Sequence, residues 1–118
     1  MLPPVFQTLQ ASAAVTALVS DRIFGAQEAP QGVAKPYVTW FCVSAAPENQ
    51  LSGTPAVDRV TVQIDVFSLV ESHAWDLAEA VRDAIEPYAH MVGMPVHERD
   101  AETRAFHFAL EFDWWLSR

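Results

Sequence analysis

The chain has 118 residues, a net charge of −8, and a hydrophobic fraction of 51%. With 7 basic against 15 acidic residues, we expect no binding of nucleic acid through its phosphates. No run of about 18 apolar residues is present, so no membrane span is expected, and the start shows no signal peptide. This length fits one domain, over residues 1–118.

A single cysteine, Cys42, cannot form a disulfide within the chain and favours a reducing compartment. It lies in an apolar run from Tyr37 to Val43. We therefore expect a buried small hydrophobic side chain rather than a nucleophile.

The first elements in chain order are two short helices. Pro3 and Pro4 can occupy a first helical turn, where a missing N–H costs nothing. Ser12 is the expected N-cap of a second helix over Ala13 to Val19. Residues 23–24 have the composition of a short strand.

Two long strands with a hairpin loop between them follow. Tyr37 to Ser44 is rich in aromatic and β-branched residues, and Asp58 to Ser68 alternates apolar and polar residues. Strands joined in this way pair antiparallel. Residues 45–57 contain two prolines and one glycine and predict a long loop, which in a small domain is typically functional or disordered.

The clearest helix runs from Glu71 to Glu86 and stops at Pro87. Its apolar residues recur at helical spacing, which predicts one buried face: Ala74, Leu77, Ala78, Val81 and Ile85. After a turn at Gly93, residues 94–98 have the composition of a short strand.

The last element is the strand over residues 104–116, in which large apolar side chains occupy every second place from Phe106 to Trp114. A period of two over so many residues is typical of a long strand with one buried face. Trp114 and Trp115 are consecutive, so they point to opposite faces. We assign Trp115 to a protein–protein contact, where tryptophan is a favoured anchor.

The element order is helix, helix, strand, strand, helix, strand, strand. It predicts an α+β fold with a mainly antiparallel four-stranded sheet and helices packed on one face.

No arrangement of residues in the sequence predicts a reaction. His97, Glu98, Asp100 and His107 lie close enough in the predicted topology for a metal site to be considered, but solvated strand-end residues explain them better. Phosphate-binding, hydrolase and metalloprotease motifs are missing. We expect no catalytic residue, cofactor or metal.

The sequence resembles the tail-completion or tail-terminator proteins of long-tailed phages and prophages. The resemblance rests on short segments in a fixed order along nearly the whole chain, although residues 86–101 match none of them. These segments are Leu18–Phe24, Ala29–Gly32 with Pro36–Val38, Pro47–Glu48 before a loop with Leu51 and Gly53, Val62–Phe67, Leu77–Arg82, and Glu102–Arg104 with Leu110–Phe112.

The resemblance implies a structural role in the virion, with the host cytoplasm as the place of assembly. Such proteins form a ring, commonly a hexamer, at the head-proximal end of the tail tube. Its implied partners are other copies of the chain, the major tail tube protein and the head-connector or stopper protein. DNA passes through the ring without specific binding, and the family has no catalytic residues.

Three groups of residues are candidates for this role. The loop is predicted to contact a neighbouring subunit or the tube through Glu48, Asn49, Gln50 and Leu51. Trp115 is the candidate interface aromatic residue. An acidic lumen or solvated face is assigned to Asp65, Glu111 and Asp113, or alternatively to the helix residues Glu71, Glu79 and Glu86. General acidic solubility explains the same charge equally well.

Two other functions remain open at this point. A neck adaptor or stopper nearer the portal belongs to the same structural class. A small α+β ligand-binding or regulatory domain is of a different class, and requires a pocket with convergent polar groups.

Overall fold

The computed structural model describes residues 2–26, 28–49 and 53–118. These residues form three helices and one five-stranded sheet in the order β1-β2-β3-β5-β4. The elements are α1 (Val5–Gln10), α2 (Ala13–Val19), β1 (Ile23–Gly25), β2 (Tyr37–Pro47), β3 (Val57–Ser68), α3 (Glu71–Ile85), β4 (His90–Arg99) and β5 (Phe106–Ser117).

The predicted α+β class is confirmed, but the four-stranded antiparallel sheet is corrected to a five-stranded mixed one. The additional strand, β1, pairs parallel with β2, while the other neighbours pair antiparallel. A short strand was considered over residues 23–24 but was not counted in the predicted sheet, because so few residues cannot show an alternation. Gly25 fits here because a Cβ atom would lie 3.2 Å from the Trp40 ring.

The core lies between one face of the sheet and the helices. β3 contributes every second residue from Val60 to Val66 to it, and Phe108, Leu110 and Phe112 of β5 are buried beside them. All five residues of the predicted apolar face of α3 are buried against this layer. The predicted N-cap of α2 is also present, since Ser12 Oγ accepts a hydrogen bond from the Val15 N–H at 3.3 Å.

The helix layer is shorter than the sheet that it covers. β3 and β5 have 12 residues each, or about 40 Å, whereas α3 has 15 residues, or about 22 Å. β3 ends at Ser68 and α3 begins at Glu71, so α3 starts level with that end of the sheet. The far end of β2, β3 and β5 therefore extends beyond α3, and the molecule measures 52 × 28 × 23 Å.

β4 is the second edge of the sheet and is longer than the predicted strand over residues 94–98. Its pairing with β5 shifts register between Met91 and Gly93 and again between Gly93 and Val96. These irregularities interrupt the alternation from which strands are recognised.

No described helix is long and apolar enough to cross a membrane.

Candidate functional site

The face of the sheet opposite the helices, here called the open face, carries the acidic residues singled out in the sequence. Successive residues of a strand point to opposite faces. Val62 and Ile64 of β3 are buried towards the helices, so the residues that alternate with them face away from the helices. The register places Gln63 beside Glu111 and Thr61 beside Asp113. The open face thus carries polar and acidic side chains of β3 and β5, whereas the residues of these strands on the helix side are mostly apolar.

Glu111 and Asp113 are half-buried, and they lie on the open face as predicted. Thr61 Oγ1 donates a hydrogen bond to Asp113 Oδ1 at 2.7 Å, which fixes the position of that carboxylate. These two residues can present negative charge to whatever lies opposite this face.

Asp65 lies on the same face but is only 2% exposed, so within the monomer it is not solvated as the sequence analysis expected. Gln63 Nε2 donates a hydrogen bond to its Oδ1 at 2.8 Å. His107 Nε2 lies 3.3 Å from Asp65 Oδ2. Thr39, which is also buried, is the residue of β2 that pairs in register with Asp65. Polar and charged partners compensate the cost of burying this carboxylate.

His107 connects Asp65 to an aromatic row. Its ring stacks on Phe67 with centroids 4.5 Å apart, and Phe67 stacks on Tyr37 at 4.7 Å. On its other side, Nδ1 lies 3.5 Å from Glu98 Oε1. The contact with Asp65 raises the pKa of His107, burial opposes this, and Glu98 adds to the increase. The Nε2 contact lacks the alignment of a hydrogen bond, so we describe the pair as an ion pair.

The histidine and carboxylate residues considered as a metal site do not converge. Glu98 does lie opposite His107, but His97 points to the other face, where its ring contacts Trp75 and Phe108. Among the residues that the structure describes, no group of three or more His, Cys, Asp and Glu side chains could hold a metal ion.

The two consecutive tryptophans point to opposite faces, as predicted. Trp114 is 5% exposed and belongs to the core, whereas Trp115 is 45% exposed. Trp115 pairs in register with Arg59, near the end of the open face. Its role at a subunit contact remains a prediction.

The hairpin of β2 and β3 extends as an arm, defined here as residues 43–49 and 53–60. The strands are longer than predicted, since β2 continues to Pro47 and β3 begins at Val57, so both ends of the predicted 45–57 loop belong to strands. The Glu48 N–H donates to the Val57 carbonyl at 2.8 Å. Near the far end of the arm, Arg118 Nη2 lies 3.0 Å from Asp58 Oδ1.

The arm has one free edge, because the pairing of β1 with β2 ends at Trp40. Cys42 is exposed near this edge, not buried as expected, since the helices do not extend over it. Glu48 and Asn49 are exposed at the end of the arm. Gln50 and Leu51, also predicted as contact residues, lie outside the described residues.

The comparison with known families identifies the chain. The family described as Tail completion protein gp17 matches residues 3–117. The chain belongs to this family. It is therefore a structural protein of a phage-type virion, with its place in the tail or neck.

A chain of a solved virion structure has a similar fold. A chain in the solved structure titled "Virion of native gene transfer agent (GTA) particle" superposes with a TM-score of 0.71. The two sequences are 21% identical, and the match covers 97% of this chain and 92% of that chain. The search of the curated proteins found no match.

The ion pair of Asp65 and His107 was not predicted from the sequence. Both residues lie on predicted strands at polar positions of the alternation. Pairing β3 directly with β5 would have put them on neighbouring strands of one face. The sequence placed Asp65 on one face with Glu111 and Asp113, but its pattern does not show which strands are neighbours, so the contact with His107 was not predicted.

Proposed function

We propose that this tail completion protein caps the head-proximal end of the tail tube as a homo-oligomeric ring of six copies and joins the tail to the head. The observation that carries the proposal is the family match over residues 3–117. The similar fold of a chain from a gene transfer agent virion supports it. The whole of residues 1–118 acts as one domain in this role, and the role is structural rather than catalytic.

In this proposal DNA passes through the ring, with the open face towards the bore. Glu111 and Asp113 lie on that face, and the chain carries a net charge of −8. Carboxylates repel phosphates, so a negatively charged wall keeps DNA mobile and away from the protein surface.

The proposed partners are neighbouring copies, the tail tube protein and the head connector. The arm extends beyond the helix layer, and its exposed residues Glu48 and Asn49 are placed to contact a neighbouring subunit or the tube. Trp115 provides an exposed aromatic anchor beside the arm.

Deletion of the gene from the phage or particle that encodes it tests the proposal. We expect filled heads and tails that do not join, with tails of uncontrolled length, and rescue by the gene supplied in trans. Tails of normal length that lack heads would indicate a neck adaptor instead. Normal, infectious particles without the protein would contradict both roles.

A further inference from the structure

The helix side of the sheet has an uncovered apolar surface at the end where the strands extend beyond α3. A groove of about 620 Å³ lies there between α1, the end of α3 and the end of β5. Pro4, Pro87, Tyr88, Trp114 and Leu116 form its apolar lining, which is here called the shelf. Tyr88 is 64% exposed, so a large part of its ring contacts nothing within the chain.

The shelf carries no formal charge, although charged residues make up 19% of the chain. None of the ten described residues that line the groove is Asp, Glu, Lys, Arg or His. Copies with a net charge of −8 repel one another, and a contact on the uncharged shelf adds nothing from that surface to the repulsion. This favours a second copy of the chain as the occupant of the shelf.

A second apolar surface lies at the opposite end of α3, in the turn that joins β3 to the helix. Leu69 and Val70 are both exposed there, and Leu69 is 56% exposed. Trp75, one turn into α3, is also partly exposed. We call Leu69, Val70 and Trp75 the corner. Exposed apolar side chains that lie together are typical of an interaction surface.

We propose that the corner of one copy packs into the shelf of the next. The inference rests on the proposed function, because it specifies how the copies of the ring contact each other. The shelf and the corner are about 22 Å apart, one at each end of α3. A contact between two different surfaces of identical subunits is head-to-tail, and closes into a ring when the rotation allows it.

The shelf can bind apolar side chains because its own apolar residues are exposed. The corner presents such side chains at the start of α3. A shelf-to-shelf contact would instead give an isolated pair of subunits, because both surfaces would be used at once. Only the head-to-tail arrangement leaves one free shelf and one free corner on every growing assembly.

Crosslinking of single-cysteine variants tests the contact. In a Cys42→Ser background, Leu69→Cys and Tyr88→Cys place one thiol on the corner and one on the shelf. The two variants are mixed and treated with a thiol-reactive crosslinker shorter than α3. We expect covalent heterodimers in the mixture, and at least fivefold fewer homodimers when either variant is treated alone.

Val92→Cys is the matched control, since Val92 is 55% exposed on β4 and belongs to neither surface. Its mixture with Tyr88→Cys should give no more product than the homodimer background. Equal yields from Val92→Cys and Leu69→Cys, or no heterodimers at all, would overturn the contact.

The same experiment separates the contact from the ring. The double variant Leu69→Cys/Tyr88→Cys should give a ladder of covalent oligomers that ends at one closed size. Heterodimers with an unlimited ladder would support the contact and contradict the ring. Rings seen by native mass spectrometry without any crosslink between residues 69 and 88 would overturn the contact and leave the proposed function standing.

Discussion

At the scale of single residues, the buried carboxylate of Asp65 is the least expected feature of the open face. Its side chain lies within 3.3 Å of His107, and His107 is held by the stacked ring of Phe67. A buried ion pair loses stability sharply when one partner is removed, because the other charge remains out of water. The pair therefore fixes β3 and β5 to each other on the face without helices.

Replacement of His107 by alanine should lower the free energy of unfolding by about 2 kcal/mol, because Asp65 loses its cationic neighbour. His73→Ala is the control, since His73 is exposed on α3 and should change stability by less than about 0.5 kcal/mol. Urea denaturation at pH 6 measures both. Equal stability of the two variants would contradict the structural role of the pair.

The stability should also depend on pH through the same histidine. Asp65, Glu98 and Asp100 face His107, and its pKa is raised in the folded state, first by the contact with Asp65. The folded protein then holds a proton that the unfolded chain releases above about pH 6.5. This contribution is fully present below that pH and is lost as the pH rises through the folded pKa.

His107→Gln should therefore flatten the pH dependence of the unfolding free energy in the range above about pH 6.5. Denaturation curves of the wild-type chain and of this variant, measured across that range, provide the comparison. An unchanged slope in the variant would show that another group is responsible.

The consecutive tryptophans provide a matched pair of substitutions. Trp114→Ala should lower the free energy of unfolding by about 3–5 kcal/mol, because removal of a buried aromatic ring leaves a cavity. Trp115→Ala should leave stability within about 1 kcal/mol but weaken self-association at least tenfold, since an exposed tryptophan at an interface is a typical hot spot. Denaturation and sedimentation velocity measure the two effects. Unchanged association of the Trp115 variant would remove this residue from the interface.

At the scale of elements, strong periodicity made the central strands and the long helix predictable. The expected final strand, residues 104–116, becomes Phe106–Ser117, and the expected strand from Asp58 becomes Val57–Ser68. Both carry large apolar residues at every second place, because one face is buried along most of their length. The helix over residues 71–86 was predicted for the same reason, with one face of α3 buried.

Elements without such a buried face were predicted less well. β2 continues through Ser44 to Pro47, where its residues are mostly exposed and show no alternation, so this part was assigned to the loop. β4 carries two register shifts and β1 has three residues. The arm and the shelf extend beyond α3 because the strands are longer than the helix. The local sequence pattern of each element does not reveal this difference.

We expect that the end of the arm can be shortened while the strands of the sheet stay paired. Replacing residues 49–56 by Asn-Gly keeps the pairing of Glu48 with Val57, and a two-residue turn of this type suits the strand twist. We expect a folded monomer whose stability changes by less than about 1 kcal/mol, but which does not restore tail joining to a deletion strain. Full restoration of infectious particles would show that the end of the arm contacts no essential partner.

At the scale of the whole molecule, charge and shape are distributed unevenly. The helix side has an uncharged shelf at one end and an apolar corner at the other, and the open face carries Glu111 and Asp113. This arrangement suits a subunit that contacts its neighbours along one direction and exposes acidic residues in another. A ring with DNA in its bore needs both properties.

The ring itself is the central claim. Native mass spectrometry of the purified chain, combined with negative-stain electron microscopy, tests it most directly. The account predicts one closed oligomer of six copies with a central opening of at least about 20 Å, wide enough for duplex DNA. A monomer, an isolated dimer or an open filament across the full range of accessible protein concentrations would contradict it.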